Sequence, residues 1–244
     1  MEKKEWFAEW FDTSYYHILY KNRDFNEAER FIKNLTQFLK IPKEAEVLDL
    51  ACGKGRHALT LNQLGYKVIG ADLSAASIAE ATKLANDQLQ FLVHDMREII
   101  PNRQFTAVFN LFTSFGYFDD QEANFSVLKS IHDMLHPEGI LVIDFMNAKK
   151  VIDQLVTDEI KIVDGIEFEI TRHYDGNHIF KSIRFTDEGS DFHFTERVQA
   201  LSKNDFEQLM NRSGFNILHT FGSFDLDPFQ EEKSDRLILI AQRA

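Results

Sequence analysis

The residue types that could do chemistry are concentrated in Glu46-Val47-Leu48-Asp49-Leu50-Ala51-Cys52-Gly53-Lys54-Gly55-Arg56-His57. A glycine pair directly after a buried strand lets the backbone approach a ligand closely, because no Cβ stands in the way. The helix N-terminus behind it offers N–H groups to an anion. Gly53-x-Gly55-x-x-Ala58 also satisfies the dinucleotide fingerprint, a weak signal alone. The acid that ends Val68-Ile69-Gly70-Ala71-Asp72 stands about 20 residues on, where a carboxylate can accept both hydroxyls of an adenosine ribose. Asp49 then divides the readings. A second carboxylate beside a bound pyrophosphate would be repelled, whereas beside an ammonium and a sulfonium it is favoured.

Such residues need an α/β frame to hold them, and the chain is patterned as one. A helix is expected from Asp24 and Glu27, with Ala28, Phe31, Ile32, Leu35, Phe38 and Leu39 at helical spacing and Pro42 as its stop. Strands follow at Glu46 to Leu50, Tyr66 to Gly70, Leu89 to Val93, Ala107 to Leu111 and Gly139 to Phe145. Helices intervene at Arg56 to Leu64, from Ser74 to about Asn86, and from Asp119 or Asp120 to Pro137. The alternation implies a parallel, doubly wound sheet. After Val156 the texture changes to Glu159 to Val163, Ile166 to Tyr174, His178 to Thr186 and Phe192 to Ala200, separated by Gly-containing hairpin turns. A Ser202-capped helix and strands at Phe215 to Phe221 and Arg236 to Ala241 then resume the first pattern. The organisation expected is therefore one domain of residues 1–156 and 202–244, opened by a helical lid over 1–41, with 157–201 as an inserted antiparallel β subdomain.

The bulk composition narrows the function classes. With 27 basic and 39 acidic side chains the formal charge is −12, which opposes a grip on nucleic-acid phosphates or anionic lipid. No stretch is apolar for long enough to span a bilayer, and Glu5-Trp6-Phe7-Ala8-Glu9-Trp10 is no signal-peptide core. The single cysteine, Cys52, cannot form an internal disulfide, so a reducing cytoplasm is the expected location. No His, Cys and Asp spacing resembles a metal site. The nucleophile-elbow motif is absent around Ser114.

Val47 to His57 resembles motif I of the class I S-adenosylmethionine-dependent methyltransferases, Val68 to Ser74 their motif II with its ribose acid, and Val93-His94-Asp95-Met96 their motif III. The resemblance spans Val47 to Phe145. It implies a Rossmann-like seven-stranded sheet of order 3-2-1-4-5-7-6 whose antiparallel last strand is Arg236 to Ala241. It also implies S-adenosylmethionine as cofactor, with the turn of Ala51, Gly53 and Gly55 against its methionine part and Asp49 close by. In the same way Asp72 would hold the ribose, Leu73 and Met96 would sandwich the adenine, and Asp95 would accept from the adenine amine. Asn110 and Leu111 would line the sulfonium with backbone carbonyls. Tyr16 and Tyr20 resemble an N-terminal lid, and Arg30 and Arg56 would partner the methionine carboxylate.

Thr113-Ser114-Phe115-Gly116 and the insertion resemble bacterial small-molecule N-methyltransferases, which implies a small methyl acceptor, taken through nitrogen or oxygen. The inserted sheet, with Phe168, Phe180, Phe185, Phe192 and Phe194, would roof the acceptor pocket or form a homodimer face. An oxygen acceptor needs a base to take its proton, for which Tyr16, Tyr117, Asp144 and His173 are the candidates. Scattered histidines in half-exposed strands, such as His173, His178 and His193, are more often solvated than catalytic. Two alternatives stand beside this reading: an NAD-linked oxidoreductase on a related sheet, and a methyltransferase-fold protein that binds cofactor without turnover.

Overall fold

Apolar runs without alternation form strands covered on both faces, and the central strands of this chain are such runs. The computed structural model describes residues 6–21, 25–118 and 120–244. Helices α1 (Trp6–Trp10), α2 (Ser14–Leu19) and α3 (Phe25–Leu39) precede β1 (Glu46–Leu50). Then come α4 (Arg56–Gln63), β2 (Lys67–Asp72), α5 (Ala75–Ala81), β3 (Leu89–Val93), β4 (Phe105–Asn110), α6 (Gln121–Met134), β5 (Leu135–Met146) and α7 (Ala148–Asp153). A separate antiparallel sheet of β6 (Asp158–Val163), β7 (Ile166–Tyr174), β8 (His178–Asp187) and β9 (Ser190–Gln199) follows, before α8 (Lys203–Arg212), β10 (Phe215–Phe221) and β11 (Arg236–Arg243).

The large sheet has seven strands in the order β3-β2-β1-β4-β5-β11-β10, the order expected from the sequence, with β11 antiparallel to both β5 and β10. From β1 the chain winds outward through β2 and β3 on one side and through β4 and β5 on the other. The carboxyl ends of β1 and β4 therefore flank the switch point at which open α/β sheets bind ligands. Alternate residues of the strands feed two cores. Leu48, Val108, Ile143 and Leu239 pack on one face with α6 and α8, and Val47, Phe109, Val142 and Ile240 on the other with α3 and α4. A third core joins Trp10 and Leu19 to Phe168, Ile170, Ile183 and Phe185, so α1 and α2 cover one face of the small sheet.

Several boundaries differ from the expectation. The helix behind Ser74 ends at Ala81 in a short 3-10 turn, although Ser74 caps it as expected, accepting from the Ser77 N–H at 3.0 Å. Helix α6 starts at the cap Asp120 and stops at Met134, so Leu135 and Pro137 belong to β5 and not to the helix. The pairing with β4 jumps from Phe105↔Leu135 to Ala107↔Ile140, and Pro137, which has no N–H to donate, falls within that irregularity. The short helices α1, α2 and α7 lacked any clear sequence period. Asp24 and Asp119, both offered as helix starts, lie outside the described residues.

Candidate active site

The turn after β1 is fastened to the end of β2. Ala51 and Cys52 donate to the Ala71 carbonyl at 2.7 and 3.0 Å, and the Gly53 N–H donates to Asp72 Oδ2 at 2.8 Å. The other oxygen of Asp72 accepts from the Ser74 N–H at 2.8 Å. Each carboxylate oxygen thus has one backbone partner and keeps a lone pair for a ligand hydroxyl. Burial raises the Asp72 carboxyl above the usual range, opposed by these backbone hydrogen bonds. The glycines of the turn differ in what they do. A Cβ on Gly53, at φ +54°, would meet nothing within 4 Å, so that side of the turn is open to a ligand. A Cβ on Gly55, at φ +80°, would lie 2.6 Å from the Phe91 ring, and one on Gly70 would lie 2.5 Å from it. The bare Cα of Gly55 makes room for Phe91.

Asp49 sits one residue from the carboxyl end of β1, paired with Gly70 on one side and Phe109 on the other, and is 1 % exposed. Burial lifts its carboxyl to about 7, helped by the Asp72 charge and opposed by the Ala58 N–H and by Arg56. Its Oδ2 has no hydrogen-bond partner among the described residues, nor has Oδ1 of the fully buried Asn110, whose Nδ2 donates to the Leu50 carbonyl at 3.1 Å. Unsatisfied buried acceptors are costly, and here two stand at the carboxyl ends of adjacent strands. They need donors, and a ligand ammonium is a donor with a compensating charge. Arg56 lies over the Phe112 ring at 4.5 Å, beside the same edge. These residues fit S-adenosylmethionine: acceptors for its ammonium, a carboxylate with spare lone pairs for its ribose, and a turn open on the Gly53 side.

Of the remaining expected residues, Leu73, Asp95, Met96 and Leu111 follow the carboxyl ends of their strands, while Arg30 and Tyr20 have partners elsewhere. Leu73 is half exposed next to Asp72, and Met96 packs partly buried against the core. Asp95 follows β3 by two residues, and Arg97 grips both of its oxygens, with Nε at 3.0 Å from each. Burial pushes the Asp95 carboxyl up, and the Arg97 contacts more than offset it, so the carboxyl ends below the usual range. Leu111 is buried after β4. Arg30 is exposed on α3 and pairs with Asp225 at 3.4 Å. Tyr20 turns to the small sheet, donating to Glu196 at 2.7 Å. Tyr16 lies in an aromatic chain, its ring 4.8 Å from Phe11, which is 5.4 Å from Tyr117.

Among the base candidates, Tyr117 donates to the Thr113 carbonyl at 2.6 Å, and His173 is exposed and stacked on Phe180 at 4.6 Å. Asp144, at the carboxyl end of β5, accepts from Arg236 Nε at 2.7 Å and from the Phe112 N–H at 2.8 Å. That clamp holds Phe112 and Thr113, two consecutive non-glycine residues with left-handed backbone, at φ 63° and 60°. Neither Arg236 nor this strained turn was visible in the sequence. Asp12 was missed as well; it accepts from Ser74 Oγ at 2.7 Å and from the Ala76 N–H at 3.0 Å, directly beside Asp72. Among the described residues no cluster of His, Cys, Asp and Glu could hold a metal, and no helix is long and apolar enough to cross a membrane.

Sheet order and an acid-flanked glycine turn tied to the carboxylate at the end of β2 are those of a class I S-adenosylmethionine-dependent methyltransferase. The chain belongs to that family: the family model described as a methyltransferase domain matches residues 41–214. It is similar to the glycine/sarcosine N-methyltransferase of Aphanothece halophytica, 26% identical over 235 residues, which cover 91% of this chain and 83% of that one. Its fold matches an S-adenosylmethionine-dependent methyltransferase of Clostridium acetobutylicum with TM-score 0.79 at 18% identity, over 93% of this chain and 95% of the other. The S-adenosylmethionine-bound amino pentose methyltransferase of Micromonospora echinaspora matches with TM-score 0.70 at 17% identity, over 95% and 98% of the two chains. The protein is therefore an enzyme that uses S-adenosylmethionine, and the oxidoreductase alternative is set aside.

Proposed function

We propose that the enzyme methylates the amine nitrogen of a small molecule, with Asp49 facing the cofactor's ammonium, Asp72 its ribose hydroxyls and the Gly53 side of the turn its methionine part. The observation that carries the cofactor assignment is the buried, unpartnered Oδ2 of Asp49 beside the Asp72-bound turn. The bound cofactor supplies a methyl group already activated on sulfonium. What the chain supplies is alignment and exclusion of water, a proximity effect of roughly 7–11 kcal/mol. Leu73 and Met96 stand at the strand ends where an adenine would lie, and the Asn110 and Leu111 segment closes the floor.

The state of three of the four base candidates supports a nitrogen acceptor. Asp144 has both oxygens engaged, the Tyr117 hydroxyl is donated to a carbonyl, and His173 is exposed on the small sheet. An amine that arrives neutral needs only alignment, whereas a hydroxyl needs a base. The relatives named for glycine, sarcosine and an amino pentose point the same way. The small sheet carries α1 and α2 on its apolar face, and α1 touches Tyr117 through Trp6, so the sheet and these helices together roof the acceptor side of the site.

The test is methyl transfer from labelled S-adenosylmethionine to two matched panels, small amines and their hydroxyl counterparts, with product mapped by mass spectrometry. Label in the amines alone is expected. Label confined to hydroxyl compounds overturns the nitrogen assignment, and no transfer to any compound despite cofactor binding favours the reading without turnover.

A further inference from the structure

The segment 6–21 touches both halves of the molecule. On the side of the small sheet, Trp10 Nε1 donates to Glu196 at 2.7 Å, Tyr20 donates to the same carboxylate, and Tyr15 donates to Asp187 at 3.0 Å. On the side of the large sheet, Trp6 and Phe11 pack edge-on or tilted against Tyr117, each at 5.4 Å between ring centres. Between α1 and α2, Asp12 reaches over to α5, where Ser74 Oγ and the Ala76 N–H donate to it. Ser74 is shared: its hydroxyl holds Asp12 while its N–H holds Asp72.

We propose that Asp12 is a positioning residue that couples cofactor binding to closure of the acceptor chamber, the link running from Asp72 through Ser74 to the strap of residues 6–21. The inference rests on the reading of Asp72 as the ribose carboxylate. Ribose hydroxyls on Asp72 fix the Asp72–Ser74 segment, so docking Asp12 onto it then costs less ordering entropy. Linkage makes the effect reciprocal: a docked strap raises cofactor affinity by the same factor by which cofactor favours docking. Seating the methyl donor would in this way favour closure of the strap and its aromatic cluster of Trp6, Phe11 and Tyr117 over the acceptor side.

The chain reports on its own strap, because its two tryptophans, Trp6 and Trp10, both lie on α1. The experiment titrates S-adenosylhomocysteine into the wild type, Asp12→Ala and Asp12→Asn. Affinity is read by calorimetry, strap state by tryptophan emission and by hydrogen exchange over 6–21. In the wild type the ligand is expected to shift the emission and slow the exchange. Asp12→Ala is expected to bind about tenfold more weakly, within the range of ordinary coupling, and to lose both strap signals at saturation. Asp12→Asn, whose amide oxygen can still accept from Ser74 and Ala76, is expected to restore both. Binding to the wild type without any strap response overturns the coupling alone, as does an Asp12→Ala variant with wild-type affinity and signals, or an Asp12→Asn variant that fails to rescue. No binding to the wild type overturns the ribose reading and the coupling with it.

Discussion

Asp49 and Asp144 occupy equivalent places and live in opposite surroundings. Both lie near the carboxyl ends of parallel strands, with one strand between them, and each is 1 % exposed. Asp144 has a cation on one oxygen and a backbone N–H on the other. Asp49 has an oxygen with no hydrogen-bond partner among the described residues, and its carboxyl is lifted to about 7 by burial. A buried carboxylate satisfied by its own chain is scaffold, whereas one left unsatisfied is held ready for a ligand that brings the missing donor and charge. The same edge of one sheet thus separates what holds the fold together from what is reserved for chemistry.

Breaking the satisfied member should have the largest effect. Asp144→Ala leaves the Arg236 charge largely desolvated, frees the Phe112 N–H and releases the strained turn at Phe112 and Thr113. Removing one partner of a buried pair costs about 3–5 kcal/mol, so chemical denaturation should show a loss of that order. A loss under about 1 kcal/mol would remove the distinction between the two aspartates.

The unsatisfied member should instead show itself through pH. Its folded carboxyl titrates at about 7 and its unfolded one near the ordinary value of 3.8, so the folded state holds more protons in that interval. Stability from this group is fully present below about 4 and is lost as pH rises through about 7, a decline of about 2–4 kcal/mol. Cofactor affinity should move oppositely, rising through the same window as Asp49 ionises. Asp49→Asn should flatten the decline in stability and bind S-adenosylmethionine at least tenfold more weakly at pH 8, by melting curves and calorimetry across pH 5–9. A wild-type affinity that does not change with pH would contradict Asp49 as the ammonium's partner.

How much of this was legible in the sequence depends on whether the signal is local. The bounds of β1, β3 and β10 follow from apolar runs and turn residues, and the meeting of Gly53 with Asp72 follows from their spacing across one βαβ unit. The Asp144–Arg236 clamp joins residues 92 apart in the chain, and Tyr20 meets Glu196 across 176, contacts for which no period or motif exists. Gly55 carries a demand that the motif does not announce: its bare Cα makes room for the ring of Phe91, a packing requirement that arises only once β3 lies against β2. Arg30 pairs with Asp225, a contact that depends on a loop far along the chain.

Asp72 stands between the two extremes. Both of its oxygens are already used once by backbone N–H groups, so it is partly scaffold, and both keep a lone pair, so it is partly reserved. Asp72→Ala should weaken cofactor binding by at least about 1.5 kcal/mol, the scale of a charge-assisted hydrogen bond. Because the Gly53 turn loses its tether too, that variant alone mixes two causes. Asp72→Asn separates them: its amide oxygen still accepts from one backbone N–H, while its NH2 cannot accept from a ribose hydroxyl. If affinity falls in both variants and the melting temperature falls mainly in Asp72→Ala, the carboxylate serves ligand and turn independently. Wild-type affinity in Asp72→Asn would move Asp72 to the side of Asp144, as a group whose work is finished within the fold.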